Sequence, residues 1–242
     1  MNLVKLDAID STNDYLKDLV RTMFIENYTV VTAEHQTNGK GQRGSTWASE
    51  KGKNLIISML VRDFTTTGTA MFDLNIVVSL AVLQALDSLD IPKLSIKWPN
   101  DIMSDDKKIG GILIENSFKS DNTVESIVGI GINVNQIEFE NLPQASSLAV
   151  IAKSTFDKEL VLEKIVNAIQ DHIKSWSRNA AQLQKTYTNL LFKKGEMMVF
   201  QASDSSFFNG TIVGITSAGR LVLENDKGTL LDFDIKEVRM IF

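Results

Sequence analysis

"GKGQRG" at residues 39–44 satisfies two phosphate-binding patterns at once, and the choice between them decides the fold. G39-x-G41-x-x-G44 matches the dinucleotide fingerprint, and Asp63, nineteen residues beyond Gly44, stands near where a ribose-binding acid belongs. That mechanism needs a helix opening at the third glycine, because the pyrophosphate rests on the helix N-terminus. The following "STWASEKGK" has no apolar period and carries Gly52 ahead of the next strand, which argues against a doubly wound dinucleotide fold. Gly39 and Gly44 followed by Ser45 also imitate a P-loop. The lysine between the last glycine and the serine is absent, so the β- and γ-phosphates lose their partner. What remains is a Gly-rich, cationic turn whose Lys40 and Arg43 meet an anion while the glycines allow close backbone approach, or else a solvated hairpin tip.

Working outward, "YTVVTAEH" (28–35) and "NLIISMLV" (54–61) are strands on either side of the loop, rich in β-branched residues and continuously apolar respectively. Before them, "LVKLD" (3–7) alternates as a strand, and "DSTNDYLKDLVRTMF" opens a helix with Ser11 as N-cap and Asp14 as its capping-box partner. Beyond them come a long apolar helix over 70–89, a strand "LSIKW" and a turn "PND". "KIGGILIENS" and "ESIVGIGINVN" pair about a "KSDN" turn, and helices resume at 146–152 and 157–188. After "FKKG" (192–195) the period changes. "MMVFQ", "FFNGTIVGIT", "GRLVLEN" and "GTLLDF" are short strands separated by Gly, Asn and Asp turns, a pattern expected for a small β-barrel.

Composition narrows the chemistry. The 242 residues are 43% hydrophobic, enough for a sizeable core. The longest apolar run, 76–86, is too short for a membrane span and is broken by Ser79 and Gln84. With no cysteine there is no disulfide frame, thiolate nucleophile or zinc–thiolate site, and His35 and His172 make no cluster. A net charge of −5 argues against broad nucleic-acid binding, so any cationic site is local. Nothing in the sequence indicates export or membrane association, and a cytoplasmic location is expected.

Four further stretches complete an ordered set with "QTNGKGQRGSTW" (36–47): "DSTNDYL" (10–16), "KWPND" (97–101), "KKIGGILIE" (107–115) and "GIGINVN" (129–135). In this order and spacing the sequence resembles the biotin protein ligases. The resemblance spans residues 1 to about 188. It implies an α+β fold: a mixed β-sheet flanked by helices, the class II synthetase-like biotin/lipoate ligase core (1–188), followed by a small SH3-like β-barrel (189–242). It also implies activation of biotin by ATP and Mg²⁺ to biotinyl-adenylate, then transfer to a lysine of a biotin carboxyl carrier protein domain. Biotin and ATP are substrates, and no tightly bound prosthetic group is implied. The chain starts too few residues before "DSTN" for the helix-turn-helix domain that many relatives carry, so DNA binding is not expected.

By the same resemblance, Lys108 contacts both the biotin carboxylate and the adenylate phosphate, with Lys40 and Arg43 in support. Lys107 belongs to the solvated turn. Ser11, Thr12, Asn13 and Gln36 match the positions that hold the ureido head, and Gly39, Lys40, Gly41, Gln42, Gly110, Gly111, Gly129 and Gly131 match those lying against biotin. Arg43, Trp47, Lys97, Asn100, Asp101 and Asn133 match the nucleotide side, with Asp101 toward the metal. Forming an acyl-adenylate drives a carboxylate against a phosphate, so preorganised cations are required, and a hard cation prefers oxygen ligands. The chain departs from the family at its loop: Lys40, Gln42 and Ser45 stand where arginines or other basic residues are usual. Lys40 keeps a charge without the guanidinium fork, and Gln42 keeps only a hydrogen bond. A lipoate ligase or octanoyl transferase of the same superfamily, and a non-catalytic binding protein on the same fold, are the competing functions.

Overall fold

The computed structural model describes residues 2–62, 64, 72–118 and 123–242. Seven strands form one sheet: β1 (Leu3–Ile9), β2 (Val30–Gln36), β3 (Leu55–Val61), β4 (Leu94–Lys97), β5 (Asp101–Ser104), β6 (Lys107–Phe118) and β7 (Val124–Ile132). Their order is β1-β2-β3-β7-β6-β5-β4. Only β1 and β2 run parallel, joined through helix α1 (Thr12–Thr22); the other pairs are antiparallel, which makes the sheet mixed as expected.

The period of two sorts side chains between the sheet's faces. Val31, Leu60 and Ile127 point to one side and pack on Leu16 of α1. Their neighbours Val30, Met59, Val61 and Val128 point to the other, under α2 (Asp73–Asp87) and α4 (Lys158–Asn189). Helix α2 is buried almost all round, which explains its lack of a polar stripe. A short helix α3 (Leu148–Ala152) precedes α4 and is capped by Ser147.

The glycine-rich loop does not open a helix. A single 3-10 turn over Gln42–Gly44 gives way to irregular chain before β3, so the dinucleotide reading fails on the missing helix. Asp63 and the "KSDN" turn lie outside the described residues, as do 70 and 71 of the expected helix, whose described part runs from Asp73.

Two strands went unread in the sequence. "PND" leads straight into β5, a four-residue strand whose turn chemistry masked it. The tail forms a five-stranded antiparallel sheet, β11-β10-β9-β8-β12, from β8 (Met197–Ala202), β9 (Phe207–Ile215), β10 (Leu221–Asn225), β11 (Leu230–Phe233) and β12 (Val238–Ile241). Its last strand, β12, pairs with β8.

Candidate active site

On the α1 face of the sheet, "GIGI" (129–132) turns Gly129 and Gly131 toward a cavity and Ile130 and Ile132 into the core. The bare glycine floor is filled from above. A Cβ on Gly129 would come within 2.5 Å of Asn13 Oδ1, and one on Gly131 within 2.5 Å of the Trp47 indole. Both positions need glycine because other side chains lie on their backbone.

Around this floor a cavity gathers most of the expected ureido and phosphate residues: Ser11, Thr12, Asn13 and Gln36 at one end, Asn100, Asp101 and Lys108 at the other, with Lys40, Gly41, Gln42 and Trp47 as its cover. It encloses about 110 Å³, below the roughly 300 Å³ of small-ligand pockets, because the indole lies on its floor. Ser11 caps α1, its Oγ accepting from Asp14 N at 3.4 Å. The return half of the capping box is replaced: the Asp14 carboxylate meets Lys17 and Lys40.

Gln36 Oε1 accepts from the Thr12 amide at 2.8 Å and from its hydroxyl at 3.0 Å. Ser58 Oγ lies 2.8 Å from Thr12 Oγ1 and 2.5 Å from Asn13 Oδ1. Asn13 Nδ2 donates to Glu115 Oε2 at 2.7 Å, which fixes its amide orientation. Ser58 and Glu115 were missed in the sequence. Ser58 left one signal, a hydroxyl within the otherwise apolar β3.

At the other end, Lys108 Nζ is 2.6 Å from Asp101 Oδ1 and 5.8 Å from the Trp47 ring centroid. Lys107 turns outward and donates to the Pro143 carbonyl at 2.6 Å. A second cavity, of about 490 Å³, lies beyond. Trp47, Asp101 and Lys108 line both cavities, and Lys97, Asn133, Arg239 and Phe242 line the second.

Lys97 is half-buried 3.9 Å from Asp101, with the Phe242 ring 4.8 Å away; burial pushes its pKa below the ordinary lysine value against the pull of Asp101. Asn100 Nδ2 holds the Ile112 carbonyl at 2.5 Å, and Asn133 Nδ2 holds that of Ser146 at 2.9 Å, so both amides brace the walls. Arg239 and Phe242 come from the tail, where no local motif marked them.

Two expected biotin positions lie elsewhere. Gly110 faces the opposite side of the sheet, where a Cβ would strike Ile132 Cδ1 at 2.6 Å. Gly39 forms the neck of the hairpin against Gln36 and the Trp47 carbonyl. The Arg43 side chain lies outside the described residues.

Residues 6–133, more than half of the chain, match the biotin/lipoate A/B protein ligase family. The chain belongs to that family. The bifunctional ligase/repressor BirA of Salmonella typhimurium is 28% identical over 231 residues, covering 93% of this chain and 70% of that protein. The biotin–[acetyl-CoA-carboxylase] ligase of Mycobacterium tuberculosis is 28% identical over 198 residues, covering 81% and 73%. Among solved structures, the biotin protein ligase from Aquifex aeolicus in complex with biotin and ATP has a TM-score of 0.81 at 27% identity, covering 99% of this chain and 98% of that one. Within the biotin/lipoate ligase family, the strands and loops just described hold the matching region from β1 to the start of the segment after β7.

Proposed function

We infer that this protein activates biotin with ATP to biotinyl-adenylate and transfers the biotinyl group to a lysine of a biotin carboxyl carrier protein domain. The observation that carries this is the position of Lys108 where the two cavities meet. One cavity offers a polar end for a neutral ureido head; the other is roomy enough for a nucleotide. A carboxylate oxygen from the first attacks the α-phosphorus in the second, the bond to the bridging oxygen breaks, and pyrophosphate leaves. Lys108 neutralises the charge that gathers between the two anions, in a site partly shielded from water by Trp47. The carrier amine then attacks the acyl carbon and AMP departs.

Mg²⁺ bound with ATP would be held on the Asp101 side of the site. Among the described residues no three His, Cys, Asp or Glu side chains converge as a metal cage. A single carboxylate at Asp101 suits Mg²⁺, which keeps waters and substrate phosphates around one or two protein carboxylates. Its chemistry is to offset phosphate charge. Lys97 and Asn133 belong to the same nucleotide side, and the division into a catalytic domain (1–188) and a small β domain (189–242) is supported by the change of sheet. Dependence on ATP and a carboxylase carrier agrees with a cytoplasmic setting, and no described helix is long and apolar enough to cross a membrane.

Incubation with ATP, Mg²⁺, biotin and a carrier domain tests the proposal. Biotinylation of the carrier lysine is expected. A product formed with lipoate or octanoate and not with biotin would move the assignment to the other branch of the family.

A further inference from the structure

The loop cation Lys40 points away from the phosphate side. Its ammonium lies 2.5 Å from Asp14 Oδ2, in the first turn of α1. Asp14 also meets Lys17 at 3.4 Å, Lys17 meets Glu115 at 2.5 Å, and Glu115 accepts the Asn13 amide. The 39–47 hairpin is closed on itself by Gly41 N to Ser45 O at 2.7 Å and Trp47 N to Gly39 O at 2.9 Å. Among the described residues, two of its side chains are anchored on the body of the protein: Trp47 on the glycine floor beside Lys108, and Lys40 on α1.

We propose that the Lys40–Asp14 ion pair is a latch that holds the 39–47 hairpin closed over the biotin slot, which makes Asp14 a positioning residue for biotin retention. An ion pair at the surface adds little to global stability. A segment with two anchors is different, because its opening costs only the contacts that tether it, and loss of one shifts its open population directly. Asp14 is suited to this task by its place: it lies in the first turn of α1 next to Asn13, which rests on Gly129, and its partner Lys40 lines the slot, so the pair ties the hairpin to the helix turn at the polar end. The inference rests on the slot being the biotin site, and its test separates the two.

Amide exchange of residues 39–47 is measured in the ligand-free protein, and biotin dissociation is followed with no nucleotide present. Lys40→Met and Asp14→Asn are each expected to speed both by about threefold to fivefold, on the scale of one partly exposed ion pair. The double variant should match Asp14→Asn, since both single changes remove the Lys40–Asp14 contact and only Asp14→Asn also loosens Lys17. Wild-type exchange and dissociation in Asp14→Asn would overturn the latch, as would a Lys40→Met effect seen only with ATP, which would make Lys40 a phosphate ligand. A wild-type protein that binds no biotin would defeat the ligase assignment, while the exchange measurement would still decide the latch.

Discussion

Lys108 and Asp101 face each other across β5 and β6 because the ladder between them slips by one residue. Asp101 pairs with Gly111 and Ile102 with Gly110, but Met103 pairs with Lys108, leaving Ile109 as an extra residue in β6. Without that bulge, Met103 would oppose Ile109 and Lys108 would sit on the other face. With it, Lys108 joins Asp101 and Gly111 on the cavity side, while Ile109 is fully buried in the core.

Lys108→Ala is therefore expected to keep the fold and slow adenylate formation by at least about a hundredfold, through loss of a cation aimed at the developing charge. Lys107→Ala, whose ammonium turns outward to the Pro143 carbonyl, should change the rate little. Pyrophosphate release from both variants checks this, and equal rates would mean the bulge has been assigned the wrong consequence.

Gly129→Ala places a methyl where Asn13 Oδ1 lies at 2.5 Å. Asn13 must move, and its bonds to Ser58 and Glu115 with it. Weaker biotin binding by tenfold or more, with little change in nucleotide affinity, is expected by calorimetry. Unaltered biotin affinity would show that Asn13 is not part of the ureido end.

Ser58→Ala removes the hydroxyl between Thr12 and Asn13 from a position with no solvent exposure. Thermal or urea unfolding should report a loss of about 1–3 kcal/mol, since Thr12 keeps its bond to Gln36 but the buried Asn13 Oδ1 loses its Ser58 donor. Biotin should bind more weakly as well. A stabilised variant would indicate that the short contact is repulsive.

Phe242→Ala and Arg239→Ala alter the second cavity and leave the first intact. A raised KM for ATP with unchanged biotin affinity is the expected split. The reverse split would place biotin, and not the nucleotide, against the tail.

The pH dependence of biotin release follows from the latch. Burial raises the Asp14 pKa, but Lys40 and Lys17 outweigh it and hold the carboxyl below the usual range, while the bond to Asp14 holds Lys40 above the usual lysine value, with Glu115 adding to it. A lowered acid loses its contribution as pH falls through the lowered value, and a raised base loses its own as pH rises through the raised one. Release should thus be flat from roughly pH 5 to 9 and quicken only outside about 3.9 to 10.4. A step near neutrality would point to another group.

Much of the site was legible because its chemistry is local. The N-cap at Ser11, the glycines opposite isoleucines in "GIGI", and the absence of a helix after Gly44 are written in neighbouring residues, since caps, pleats and turns are decided within a few positions. The contrast between Lys108, which lines the cavities, and Lys107, which turns outward, agrees with what the resemblance implied for the two.

The remainder depended on contacts between distant segments. Ser58 lies 45 residues from Asn13, and Glu115 lies 102 from it, so no window of sequence joins them. Gly110 and Gly111 look alike in "IGG", yet one supports the core and the other the cavity, because the pleat turns alternate residues to opposite faces. Lys40 carries the charge expected of the loop, but its partner was set by where α1 lies over the sheet. Sequence by itself determined which residue types and turns exist; the packing of α1, the bulge at Ile109 and the return of the tail decided what each one touches, because side-chain contacts depend on distances that only the folded chain creates.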